Sequence, residues 1–72
     1  MTMSNYATRV WNDDYEEKGN ELMLLSNTYG CEEIKDRGRI VFFLFNTRQQ
    51  ALDFANEVFE SYKINTKVIE WF

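Results

Sequence analysis

Acidic side chains are the most concentrated chemical groups in this 72-residue chain. One group surrounds Tyr15 and comprises Asp13, Asp14, Glu16 and Glu17. A second group recurs at i, i+4 and i+7, so it would form one stripe on a helix, and it comprises Asp53, Glu57 and Glu60. Carboxylates spaced about 5–6 Å apart along a helix are spaced comparably to the phosphates of a nucleic-acid strand. These rows therefore suit the basic groove of a DNA-binding protein, with solvated helix faces as the plainer alternative.

The residue types needed for catalysis are scarce. No histidine occurs, which removes the commonest general base and the commonest metal ligand. Cys31 is the lone cysteine, so one chain can form neither a redox pair nor a thiolate metal site. Glu32 and Glu33 beside it are expected to raise the pKa of its thiol. The three glycines follow no phosphate-binding pattern. We therefore expect no enzyme, no cofactor and no metal site.

Charge and length restrict the class of partner. Twelve acids against eight bases leave a net charge of −4, which opposes direct binding to nucleic acid or anionic membranes and favours a basic partner. The chain has one cysteine, no signal-peptide pattern and no apolar run near the ~20 residues of a membrane span, and these features indicate a cytoplasmic protein. Its length suits one domain, residues 1–72.

The segment that must position the second acidic group runs from Arg39 to Tyr62. Residues 39–45 are apolar, aromatic and β-branched, which is typical of a strand buried on both faces. Asn46 or Thr47 offers the side-chain oxygen of an N-cap, and Gln50 follows Thr47 at the spacing of a capping box, which predicts a helix, Thr47–Tyr62. The predicted inward face of that helix comprises Ala51, Phe54, Ala55, Val58, Phe59 and Tyr62.

The remaining chain predicts three more strands and one more helix. The strands are Tyr6–Trp11, Cys31–Asp36 and Asn65–Phe72. Residues 13–29 favour a helix, in which Gly19 is either an interruption or the true start, although residues 20–28 also suit a strand. The order β-α-β-β-α-β predicts a ferredoxin-like α+β fold, with two helices on one face of a four-stranded antiparallel sheet. A β-β-β-α-β sheet is the alternative.

Two helices can cover only one face of such a sheet, yet residues 39–45 are apolar on both. An uncovered aromatic face usually marks an interface, here for homodimerisation or partner binding, unless a helix or tail covers it. The predicted interface comprises Trp11, Phe43, Phe45 and Trp71. RNA-recognition domains stack bases on a comparable face, but their basic–Gly–aromatic pattern is absent, so no direct contact with nucleic acid is expected.

In general type, a short, acidic, aromatic-rich chain without histidine or a catalytic motif resembles the small early bacteriophage proteins that inhibit host machinery. Some of those proteins mimic DNA, including a phage inhibitor of the nucleoid-associated protein HU. The resemblance implies a phage-encoded, non-catalytic inhibitor in the host cytoplasm, whose two acidic groups occupy the nucleic-acid-binding surface of a basic host protein. A ligand-sensing or assembly module that dimerises through its sheet is the alternative from a different class.

Overall fold

The computed structural model describes residues 4–71. Its elements are β1 (Tyr6–Trp11), α1 (Asn12–Thr28), β2 (Glu33–Asp36), β3 (Ile40–Phe45), α2 (Arg48–Tyr62) and β4 (Lys67–Glu70). Both edge strands are shorter than predicted, and Phe72, the predicted end of the last strand, lies outside the described residues. None of the helices in this part of the chain is long and apolar enough to cross a membrane.

The four strands form one antiparallel sheet in the order β2-β3-β1-β4. Each helix returns the chain across the same side of the sheet, which confirms the predicted ferredoxin-like arrangement. The alternative β-β-β-α-β order is wrong, because residues 20–28 belong to α1. The turn between β2 and β3 closes at Gly38, whose φ of 88° suits glycine.

The register of the sheet assigns each side chain to a face. Thr8 lies opposite both Phe43 and Val68, and its hydroxyl donates a hydrogen bond to the Ala51 carbonyl of α2, so these residues belong to the helix-covered face. Arg9, one residue later, belongs to the opposite face, because successive side chains of a strand alternate. We call this second face, which neither helix covers, the open sheet face.

The core lies between the sheet and the helices. Phe43 and Phe45 are fully buried there, with ring centroids 4.9 and 5.4 Å from that of Phe54 on α2. The prediction that these two phenylalanines line an open interface is therefore wrong. Both helices pack on the side to which the odd-numbered residues of β3 point, and this leaves Phe42 on the open sheet face.

The second helix forms as its sequence predicts at its start but not on its whole inward face. The capping box between Thr47 and Gln50 is present in both directions. Phe54 and Val58 are fully buried, whereas Phe59 is 49% exposed. The expected burial of Phe59 is wrong, because its ring lies beyond the core, 5.6 Å from the Lys63 ammonium.

The first helix contains a break. Lys18 has non-helical angles (φ −122°, ψ 25°), so the acidic first six residues form a segment before Gly19 and the remainder follows it. Leu22 and Ser26 on the second part are fully buried against the sheet. The helix ends at Thr28, one residue before the predicted limit of residue 29, and Gly30 follows its cap with a φ of 87°, which suits glycine.

Candidate functional site

The acidic stripe of α2, defined as Asp53, Glu57 and Glu60, is a regular row of charged side chains on one helix face. Its three carboxylates line one groove of about 450 Å³ together with Tyr29 and Asn56. Asp53 and Glu57 are half-buried and Glu60 is exposed. The structure thus brings together the three acids that the helical spacing predicts on one face.

Neutral donors hold two of these carboxylates in place. The Gln49 amide donates to Asp53 Oδ1 at 2.8 Å. The Ser61 hydroxyl donates to Glu57 Oε2 at 2.6 Å, and the Tyr29 hydroxyl donates to Glu57 Oε1 at 3.3 Å. Both oxygens of Glu57 are therefore oriented without loss of their negative charge.

The acidic stripe has no cation of its own within residues 4–71. The single ion pair in that range joins Lys35 Nζ to Glu33 at 3.3 Å, far from α2 in the sequence and on the open sheet face. The carboxylates of the stripe consequently keep their capacity to accept lysine or arginine donors from another molecule.

The acids of α1 are arranged differently. Asp13, Glu16 and Glu17 are exposed and Asp14 is half-buried. Asp13 lines a groove that contains Trp11 and Arg39, whereas Glu16 lines a groove beside the β2–β3 turn. The predicted group around Tyr15 is therefore spread around its helix and does not form a second stripe.

Charge is nonetheless separated between the two layers. The helices carry eight of the twelve acids but only two of the eight bases, Lys18 and Arg48. The remainder of the chain carries six bases and four acids. The net charge of −4 is thus a sum over a negative helix layer and a weakly positive remainder.

The open sheet face combines aromatic rings with bases. Trp11 is 55% exposed, and the rings of Phe42 and Trp71 meet with centroids 5.0 Å apart. Across all four strands, one row of facing residues reads Lys35, Phe42, Arg9 and Lys67. Of the four predicted interface residues, Trp11 and Trp71 are on this face.

The basic residues and Phe42 of that face were not predicted as site residues. Arg9 and Trp11 are two residues apart in β1, so strand alternation alone could have placed them together. Lys35 and Lys67 join them only through the pairing of distant strands. Next to this row, a cavity of about 180 Å³ is lined by Arg9, Val10, Trp11, Ile40, Asn65, Thr66 and Lys67.

Cys31 is half-buried behind the end of α1. Burial is the main cause that raises the pKa of its thiol, and the charge of Glu32 adds to it. The predicted direction is confirmed, although only the charge of Glu32 contributes to it, and a backbone hydrogen bond with Glu33 lowers the pKa instead. Within residues 4–71, no group of three or more cysteine or carboxylate side chains is placed to hold a metal ion.

Comparison of the chain with models of protein families, with curated protein sequences and with solved structures finds no match.

Proposed function

We propose that this chain is a non-catalytic binding protein whose acidic helix layer occupies the basic surface of a protein partner. The observation that carries the proposal is the acidic stripe: three carboxylates in one groove, two of them oriented by neutral donors, with no cation paired to them within residues 4–71. Carboxylates already oriented lose less conformational entropy when a partner's lysine or arginine binds.

The separation of charge supports the same proposal. A negative helix layer steers a basic partner toward the helices and increases the rate of association at low ionic strength. The acids on the first part of α1, chiefly Asp13, Glu16 and Glu17, extend the negative field beyond the stripe. The partner would then lie across the helix layer, and the sheet would remain free.

The resemblance to phage inhibitors suggests which partner to test first. On the proposed function the chain is phage-encoded, acts in the host cytoplasm, and blocks DNA binding by a nucleoid-associated protein such as HU. Purified HU bound to a labelled DNA duplex provides the assay: the chain should displace the duplex, and displacement should weaken steeply as salt rises.

Charge-neutral variants make the test specific. Asp53→Asn, Glu57→Gln and Glu60→Gln together should abolish displacement of the duplex. The matched control neutralises three exposed acids outside the helices, by Glu32→Gln, Glu33→Gln and Glu70→Gln. This variant has the same change in net charge but keeps the acidic stripe, so it should retain displacement. Equal loss in both variants, or no displacement at low salt, would contradict the proposal for this partner; a pull-down from bacterial lysate at low and high salt extends the test to other basic proteins.

A second candidate is an assembly module that dimerises through the open sheet face. The observation that favours it is the 55% exposure of Trp11 on the same sheet face as the half-buried Phe42 and Trp71 rings. Apolar dimerisation should persist or strengthen at high salt, whereas binding through the acidic stripe should weaken. Analytical ultracentrifugation at low and high salt separates the two candidates.

A further inference from the structure

We propose that the open sheet face binds single-stranded nucleic acid. This binding surface is separate from the acidic helix layer. The proposal reverses the expectation, based on net charge, that the chain makes no direct contact with nucleic acid. Three observations carry the proposal: the cross-strand row of basic residues, the aromatic rings on either side of it, and the position of most of the acids on the other layer.

The basic side chains on this face lie closer together than the stability of the sheet alone would favour. Arg9 and Lys67 are direct partners in adjacent strands, and like charges at such positions destabilise a sheet. Neither of them forms an ion pair within residues 4–71, whereas Lys35, at the other end of the row, is paired with Glu33. An anion that lies between Arg9 and Lys67 would relieve their repulsion, and a phosphate group fits this requirement.

Aromatic rings lie on both sides of the basic row along the strands. Trp71 continues the β1–β4 ladder opposite Asn5, to whose carbonyl its backbone N–H donates at 2.8 Å. Its ring reaches that of Phe42 on β3, and Ala7 on the strand between them is fully buried. The backbone of Trp11 lies at the opposite end of β1, about 20 Å from that of Asn5 at roughly 3.4 Å per residue. Nucleobases can therefore stack at two places, while the phosphates between them contact the basic side chains of the row.

Most acids of the protein lie away from this contact, although Glu33 pairs with Lys35 on the open sheet face and Asp13 lines a groove with Trp11. The described residues measure 31 × 24 × 18 Å along their principal axes, and eight of the twelve acids belong to the helix layer on the far side of the sheet. The shortest of these dimensions exceeds the Debye length of about 8 Å at physiological salt. A strand that approaches the open sheet face thus meets Arg9, Lys67 and the Lys35–Glu33 pair before the field of the helices.

The row of basic residues also favours one binding partner for this face over a second copy of the chain or a DNA duplex. In a two-fold dimer through this surface, the row would approach its own copy, so arginine and lysine would face like charges. Duplex DNA supplies phosphates, but its bases are stacked within the helix and cannot stack on Trp11 or Trp71. A single strand supplies both the phosphates and accessible bases.

The test is fluorescence anisotropy of labelled oligothymidylate and oligouridylate, with a labelled duplex in parallel. Binding to the single strands should be tighter than binding to the duplex. The logarithm of the association constant should fall with the logarithm of the salt concentration with a slope of about −1.4, roughly 0.7 for each of two phosphates contacted by Arg9 and Lys67. Arg9→Gln with Lys67→Gln should bring that slope close to zero. Lys18→Gln with Lys63→Gln, an equal charge change beside α2, should leave it unaltered.

Stacking is tested by a second matched pair. Trp11→Ala should weaken binding roughly tenfold, while Phe59→Ala, which removes a ring of similar exposure from α2, should have no effect. Circular dichroism confirms that each variant is folded before binding is compared. No binding at low salt, equal affinity for the duplex, or equal effects of the sheet variants and their controls would overturn the proposal. The proposal would also be overturned if the protein formed a dimer that bound no oligonucleotide and that the Trp11→Ala substitution dissociated.

Discussion

The phenolic hydroxyl of Tyr29, one residue beyond α1, donates a hydrogen bond to Glu57 Oε1 on α2, 3.3 Å away. Only a protonated tyrosine can donate this bond. Partial burial raises the pKa of Tyr29, and the charges of Glu57 and Asp53 raise it further. The end of one helix and the acidic stripe of the other are thereby linked through a single proton.

The first prediction is that Glu57→Gln lowers the pKa of Tyr29, because the substitution removes the negative charge that disfavours tyrosinate. A spectroscopic titration of tyrosinate absorbance measures this, with Tyr29→Phe used to assign the transition among the four tyrosines. Glu60→Gln is the control, since its carboxylate is not among the groups that raise the pKa. Identical titrations of the Glu57 variant and the parent would contradict the assignment.

The ionisation of Tyr29 also makes the free energy of unfolding depend on pH in alkaline solution. The pKa of Tyr29 is higher in the folded protein than in the unfolded chain, so its contribution to stability is present below the ordinary tyrosine pKa of about 10. That contribution should be lost as pH rises through the raised pKa of the folded protein. Urea unfolding at increasing pH should show a smaller decline for Tyr29→Phe than for the parent. Parallel declines would show that Tyr29 is not responsible.

The buried hydroxyl of Thr8 is the one polar link from the middle of the sheet to α2 among the side-chain hydrogen bonds of residues 4–71. It is fully buried and donates to the Ala51 carbonyl at 2.9 Å. Thr8→Val keeps the shape but removes the donor, and should lower the free energy of unfolding by about 1 kcal/mol. Thr28→Val removes an exposed hydroxyl bonded at 3.2 Å and should cost about 0.5 kcal/mol or less in the same urea titration. Equal costs would mean that burial of the Thr8 bond is unimportant.

Two glycines should respond to alanine in opposite directions. A Cβ at Gly19 would lie 3.9 Å from the Tyr15 ring, an ordinary contact, so Gly19→Ala should stabilise the protein by about 0.4–1 kcal/mol. Gly30 has a φ of 87°, and a Cβ there would lie 2.6 Å from the Gln50 amide nitrogen. Gly30→Ala should therefore destabilise by about 1–2 kcal/mol or more. Thermal unfolding of both variants measures the difference, and a loss of stability in Gly19→Ala would show that the break at Lys18 requires glycine after it.

The thiol of Cys31 should be slow to react near neutral pH. Because burial and Glu32 raise its pKa, little thiolate is present there, and the rate of alkylation by iodoacetamide should increase as pH rises through the raised value. Alkylation in urea provides the rate for the unfolded chain, which should be faster. Glu32→Gln should accelerate the reaction of the folded protein modestly, since it removes one cause of the shift. A fast reaction at neutral pH would contradict the half-buried position of the thiol.

Local rules were sufficient for much of the fold. β1 begins and ends where its β-branched and aromatic residues predict, and the capping box of Thr47 and Gln50 starts α2 as expected. The acidic stripe also follows from helical spacing, because its members lie on one helix and need no distant partner. These features depend on neighbours within a few residues, which a sequence displays directly.

The face of the sheet that each phenylalanine joins was decided by tertiary structure. Alternation separates Phe42 from Phe43, but only the placement of the helices determines which of them is covered. The row that joins Lys35, Arg9 and Lys67 depends on three strand pairings between distant segments, and a shift of one residue in any of them would move a base to the other face. The sequence by itself thus determined the elements and the acidic stripe, whereas the basic open face exists only because long-range pairing sets the register.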